Sequence, residues 1–306
     1  AHAPESQDQS RLGETEVVLL KLPERISSAS FEYSGLAWFK DQLVLLPQYP
    51  GGKFFSYSPV LYSISKQDIL TAIRNPEFEL PARDVPLLQA DIQGQIQGFE
   101  GFESILFVGQ QVFLTIETHG GDPMMGYLIR GEVNGDLESI TLEPDSLVEL
   151  PPLTHEQNAT FEALTSWNDK LYVIYEHNSG QAEMTPIAYE FNLDMEFSRK
   201  IPFPAINYRI TDATESDESG RFWVMNYFYP GDTHLKVDQD ELVLRYGEGE
   251  THARSQQVER IVQLQIDQAG ITRIDQPPIY LKLLEKDKAR NWEGIVLLDD
   301  LGFLLI

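Results

Sequence analysis

Five residues head five similar segments: Ser34, Glu103, Glu162, Asp212 and Glu293. All are hard oxygen donors. Four carboxylates and a hydroxyl gathered at one point repel one another unless some hold protons at raised pKa or a cation sits among them. Ca2+ is the first candidate cation, with Mg2+ or Mn2+ behind it, because such oxygens suit hard ions. The alternative is that these acids accept backbone N–H groups of a neighbouring unit and act as latches. Fourteen positions after the heads lie Gln48, Glu117, Glu176 and Asn226, each opening a polar loop. Glu117 and Glu176 have His119 and His177 close by in sequence, and an acid beside an imidazole can serve as general acid and base. Arg209 and Arg290 stand three residues before Asp212 and Glu293. With Gln48 and Asn226 they are candidate substrate-binding residues, since a guanidinium forks onto phosphate or carboxylate; pairing with the ring acids is their other reading.

These residues are positioned by a repeat. One place after each head comes a small or short residue: Gly35, Ser104, Ala163, Ala213 and Gly294. Ten and eleven places on come aromatic and aliphatic pairs such as Phe113-Leu114 and Tyr172-Val173. Each copy reads as strand, turn, strand, with turn formers such as Asn168-Asp169 and Gly109-Gln110 in the middle. Third strands are predicted at Leu61–Lys66, Tyr127–Val133, Ile187–Leu193 and Ile261–Asp267, and fourth strands at Leu147–Leu150 and Arg199–Phe203. Four-stranded units repeated about an axis make a β-propeller. The heads are 69, 59, 50 and 81 residues apart, which suits five blades. The last interval leaves a six-bladed alternative, but it contains no further head and reads as insertion plus outer strands. Val17–Leu22 is predicted to complete the last blade and close the ring, making residues 15–306 one all-β domain behind a flexible polar tail, 1–14. The small residues follow from the crowding of inner strands on a narrow axis.

Composition narrows the function classes. The formal net charge is −25, which argues against nucleic acid or an anionic membrane as partner. No apolar run is long enough to span a membrane. With no cysteine, disulfides, thiol catalysis and thiolate metal sites are excluded. The polar start resembles the mature end left after a signal peptide is removed, so a periplasmic or secreted monomer is expected. Asn158-Ala-Thr160 matches a glycosylation acceptor, Asp232–Asp240 reads as a solvated acidic loop rather than an EF-hand, and Lys282–Arg290 as a short helical turn. Phosphate-loop, H-E-x-x-H and G-x-S-x-G patterns do not occur.

Together YSGLAWFKDQLVLLPQ, GFEGFESILFVGQQVFLTIET, NATFEALTSWNDKLYVIYE and RNWEGIVLLDDLGFLLI resemble the phytase-like propeller family called "esterase-like activity of phytase", over Tyr33 to Ile306. The order Ser, Glu, Glu, Asp, Glu is also similar to the hub of the calcium-activated nucleotidase (apyrase) family. The chain departs from the first pattern at RITDATESDESGRFWVMN, where Asp212 replaces glutamate and Asn226 ends the second strand. The resemblance implies hydrolysis of phosphate or carboxyl esters; joined to the acidic ring, it leads to the expectation of a Ca2+-dependent hydrolase of phosphate esters, with a small anionic substrate over an ion on the five heads and Glu117 or Glu176 as base. Two readings compete with it: a non-catalytic binding propeller with a structural cation, presenting the mouth and the aromatic loop Tyr227-Phe-Tyr229 to a ligand or envelope partner, and a lactonase or esterase that needs His119 or His177.

Overall fold

The computed structural model describes residues 11–52, 57–90, 92–156, 159–179, 185–284 and 288–306. The sequon asparagine, Asn158, and residues 285–287 of the expected helical turn lie outside them. The five predicted hairpins are present as Tyr33–Phe39 with Gln42–Pro47, Phe99–Val108 with Gln111–Thr118, Phe161–Trp167 with Lys170–Tyr175, Arg209–Ala213 with Arg221–Phe228, and Ile295–Leu297 with Phe303–Leu305. The first strand of each hairpin packs beside the first strand of the next, and the fifth returns to the first. That closed ring of inner strands is a five-bladed β-propeller.

The second strands show why the sequence is apolar almost without a break. In Lys170–Tyr175, Leu171, Val173 and Tyr175 enter one core cluster while Tyr172 and Ile174 enter another. Alternation puts neighbours on opposite faces, and each blade is covered on both faces by its neighbours. A fully buried side chain of this kind contributes about 1.5–3 kcal/mol. The hairpins turn tightly: Trp167 pairs with Lys170 across Asn168 and Asp169, both at positive φ. That geometry matches the twist of the flanking strands.

Third strands lie at Val60–Ser65, Gly126–Asn134, Ile187–Asn192 and Val258–Ile266, close to their predicted bounds. The fourth strand of blade three, Phe197–Pro202, is also as predicted. In blade two the predicted Leu147–Leu150 forms Val148–Leu150, but it shares the outer edge of Gly126–Asn134 with Ser139–Leu142. Ser139–Leu142 also pairs in parallel with Arg83–Leu88, the fourth strand of blade one, so the two blades join at their rims. Among the described residues the long interval in blade four contains no sixth blade. It holds an insertion between Phe228 and Val258, with a short helix at Glu241–Tyr246, followed by the outer strands.

Two expectations about the N-terminus need correction. Val17–Leu22 adds no ladder strand to blade five. It closes the ring with side chains: Val17 packs on the cluster of Trp292, Ile295, Phe303 and Leu305, and Leu20 and Leu22 on that of Val296, Leu298, Leu304 and Ile306. Nor is the tail free up to residue 14. Arg11–Leu12 pairs with Glu248–Gly249, and Glu14–Thr15 with Tyr280–Leu281. Half-buried Glu14 accepts from Thr251 N at 2.9 Å, Thr251 Oγ1 at 2.7 Å and His252 Nδ1 at 2.8 Å. This carboxylate staples the insertion to the blade. Glu14→Ala would strand those donors, and we expect a loss of about 2 kcal/mol, with faster amide exchange over residues 247–257. Unchanged exchange there would refute the staple.

Among the described residues no helix is long and apolar enough to cross a membrane.

Candidate active site at the propeller mouth

Where the inner strands begin, the axis opens into a cavity of about 890 Å³. Its floor is set by β-bulges. In the first three blades the bulged residue is the head itself: Ser34, Glu103 and Glu162 each lie at a break in register. The extra residue re-aims its side chain out of the ladder and into the mouth. All three line the cavity, as does Glu293 from blade five.

Blade four differs by one residue. Its register breaks between Ile210 and Asp212, so Thr211 is the bulged residue. Thr211 Oγ1 donates to Trp292 O, as Ser34 Oγ donates to Phe102 O at 2.6 Å, each reaching the next blade. Asp212 therefore takes the hub position filled by glycine, alanine or serine elsewhere. Its carboxyl points across the axis rather than into the cavity, accepting Ile295 N at 2.8 Å and bonding the backbone of Leu36 and Ala213 and the Ser104 hydroxyl. The expectation that Asp212 joins the ring of ligands is thus corrected: it is a latch between blades. Burial holds its pKa well above the carboxylate range against the pull of these donors. The hub has no room for more. A Cβ on Gly294 would stand 2.7 Å from Ile306 Cγ2 and 2.9 Å from Leu36 Cγ.

The same one-residue slip moves the second tier. Gln48, Glu117 and Glu176 line the cavity, but in blade four the lining residue is Tyr227, not Asn226. Asn226 is fully buried, donating to Arg209 O at 2.8 Å and accepting from Arg260 Nε at 2.7 Å, so it is no substrate ligand. Gln48 reaches over Gly101, where a Cβ would come within 2.5 Å of Gln48 Cγ, and donates to Glu103 Oε1 at 2.7 Å.

Both arginines reach the cavity, and both are already engaged. Arg209 donates to Glu176 Oε1 and, at 2.8 Å, to Asp232 Oδ2. Burial alone would lower its pKa, but these carboxylates hold it above its ordinary value. Arg290 donates to Glu259 Oε2 at 2.8 Å and Lys282 O at 2.6 Å, and lies 5.0 Å from the Trp292 ring centroid. His119 is exposed, with its ring nitrogen 3.9 Å from Glu100, and does not line the cavity. His177 is buried behind the wall. Its Nδ1 bonds Glu156, and its Nε2 lies 3.5 Å from Glu176 Oε2. Neither histidine stands where it could touch a substrate in the mouth.

The carboxyls are held in unusual protonation states. Burial, then the charges of Glu117 and Glu293, pushes Glu103 well above the carboxylate range. Glu103 donates a hydrogen bond to Glu117, whose own pKa is raised to about 7 by burial and by Glu100 and Glu176. Glu162 is raised well above 4.5 by burial and by Glu176. Glu293 is raised to about 8, again chiefly by burial and then Glu176, although Asn291 Nδ2 donates to it. Two oxygens in the wall, Glu162 Oε2 and Glu176 Oε2, are buried with no hydrogen-bond partner.

The donor set does not fit the expected cation as it stands. Asp212 points across the hub, and among the described residues no three histidine, aspartate or glutamate side chains are arranged to hold a metal ion.

Sequence reasoning missed Thr211 and Asp232. Thr211 had a signal: it adjoins Asp212 and is a hydroxyl residue like Ser34. Asp232, read as part of a solvated loop, is brought in by the insertion and had none. Tyr227, read with Phe228 and Tyr229 as an aromatic loop facing a ligand, lines the cavity.

No family model matches the chain, and no curated protein sequence does. Solved structures resemble it in fold. A Bombyx mori GH32 beta-fructofuranosidase is 12% identical at a TM-score of 0.44, covering 81% of this chain and 48% of its own. This chain thus spans about half of that enzyme. An alpha-L-arabinanase of Cellvibrio cellulosa is 10% identical at 0.43, covering 85% and 79%. A Xanthomonas citri GH43_1 enzyme is 12% identical at 0.41, covering 89% and 81%. None of the three is a phytase, and likeness this low carries nothing about chemistry. Of the phytase-like resemblance, the β-propeller fold is what stands.

Proposed function

We propose that the mouth is the active site of a hydrolase that cleaves glycosidic bonds by carboxyl acid–base chemistry. One observation carries this reading. Arg209 and Arg290, the positive side chains among the described lining residues, are already paired, while the carboxyls around them straddle neutrality. Such a cavity offers hydroxyl-binding groups and poised protons, but no open positive charge for a phosphate. Glycoside hydrolysis needs one carboxylic acid to protonate the leaving oxygen and one carboxylate to activate water or attack the sugar. Glu293, raised to about 8, holds the proton for the leaving group. The hydrogen-bonded Glu103–Glu117 unit, with Glu117 at about 7, is the base.

Turnover of aryl glycosides should peak between pH 7 and 8, where Glu117 is ionised and Glu293 still protonated. Glu117→Gln and Glu293→Gln should each lower kcat by about 10²–10⁴-fold. Turnover of aryl phosphates that needs Ca2+ and disappears with EDTA would overturn this reading in favour of the phosphate-ester hydrolase expected from the sequence.

A further inference from the structure

Resting on that reading, we infer that the substrate carries an ammonium group, as in an amino sugar, and that Glu162 receives it. Glu162 is at least nine-tenths buried and lines the cavity, and it presents a buried Oε2 with no donor, whereas Glu176 Oε2 faces His177 Nε2 at 3.5 Å. A buried acceptor left empty costs about 1–3 kcal/mol, more if charged. Something with N–H donors is therefore missing from this wall. Arg209 does not supply it, because its bonds go to Glu176 Oε1 and Asp232.

Charge decides between a neutral donor and a cation. The described lining carries Glu32, Glu103, Glu117, Glu162, Glu176, Asp232 and Glu293 against two arginines. The arginines offset at most two of these, so further ionisation needs an incoming positive charge. A bare metal ion needs six to eight oxygens close around one point, and the carboxyls are not so arranged. An ammonium needs only three acceptors, at ordinary hydrogen-bond length, and the rest of its molecule fills the cavity. The rings of Tyr227 and half-exposed Tyr229 line the same mouth and favour a cation over their faces.

The test is isothermal titration at about pH 6, where the amine is already protonated in solution, with glucosamine, glucose and CaCl2, in two buffers of different ionisation heat. Glucosamine should bind at least tenfold more tightly than glucose and release protons on binding, because the ammonium ionises carboxyls that held them. Glu162→Gln should reduce the preference to within twofold while leaving the melting curve cooperative; His119→Ala, a change outside the cavity, is the control that keeps the preference. Equal binding of glucose and glucosamine would overturn the ammonium assignment and leave glycoside hydrolysis standing. Binding of Ca2+ that excludes glucosamine would overturn it in favour of a metal. Absence of binding by either sugar would overturn it as well, and the aryl-glycoside assay would then judge the hydrolase reading separately.

Discussion

Replacing Asp212 by alanine is expected to destabilise the protein by about 3–5 kcal/mol, the largest loss of any single change at the mouth or hub. The side chain is 1% exposed and sits where five inner strands crowd together. It accepts the Ile295 N–H of blade five and also bonds the Leu36 backbone of blade one and Ser104 of blade two. These donors face the axis because the strands converge there, so they have no other partner once the carboxyl is gone. Asp212→Asn should fall between the two, since it keeps one acceptor but turns an amide NH2 towards groups that already donate. Urea unfolding with a shared m value measures the difference. A loss under 1 kcal/mol for the alanine variant would mean the hub does not depend on this latch.

Stability should also fall as the solution becomes mildly alkaline. Glu117 and Glu293 move from the ordinary 4.5 to about 7 and about 8 on folding, while Glu103, Glu162 and Asp212 are raised further. The folded state therefore holds more protons than the unfolded chain between about pH 4.5 and pH 8, and the unfolding free energy falls as pH rises through that window. The stabilisation is fully present below the unfolded value and is lost on passing the folded one. One pKa unit corresponds to about 1.4 kcal/mol, so Glu117 and Glu293 alone account for a loss on the order of 7 kcal/mol from pH 5 to pH 8. Self-repulsion at a net charge of −25 acts in the same direction. Two controls separate the contributions. Added salt screens the surface charge but not the buried carboxyls. Glu293→Gln should match the parent at pH 5 and exceed its stability at pH 8. A stability that rises from pH 5 to pH 8 would contradict these protonation states, and with them the acid and base assigned to the mouth.

Much of this molecule was legible in its residues. The apolar second strands, the turn formers at Asn168-Asp169 and the small residues behind the heads are local properties. They report strand pairs covered on both faces and crowded at one axis, hence a propeller. The heads likewise announced that acids gather at one mouth and must share protons or charge.

What the chain alone left open was decided by distance and by single-residue register. Counting from Asp212 and Asn226 kept the spacing intact. Yet the bulge at Thr211 shifts the frame by one, and in a strand one residue exchanges the face towards the cavity for the face towards the hub. So Asp212 became a latch and Tyr227 a wall residue. The longer turn of blade four absorbs the slip, which is why the spacing hid it. Arg290 pairs with Glu259, Arg209 with Asp232 and Glu14 with His252, partners separated by long stretches of chain. Sequence by itself determined which groups could do chemistry and that they share one end of a propeller. Only the tertiary structure decided which of them face the open cavity unpaired, because that depends on ladder register and on partners met through folding rather than along the chain.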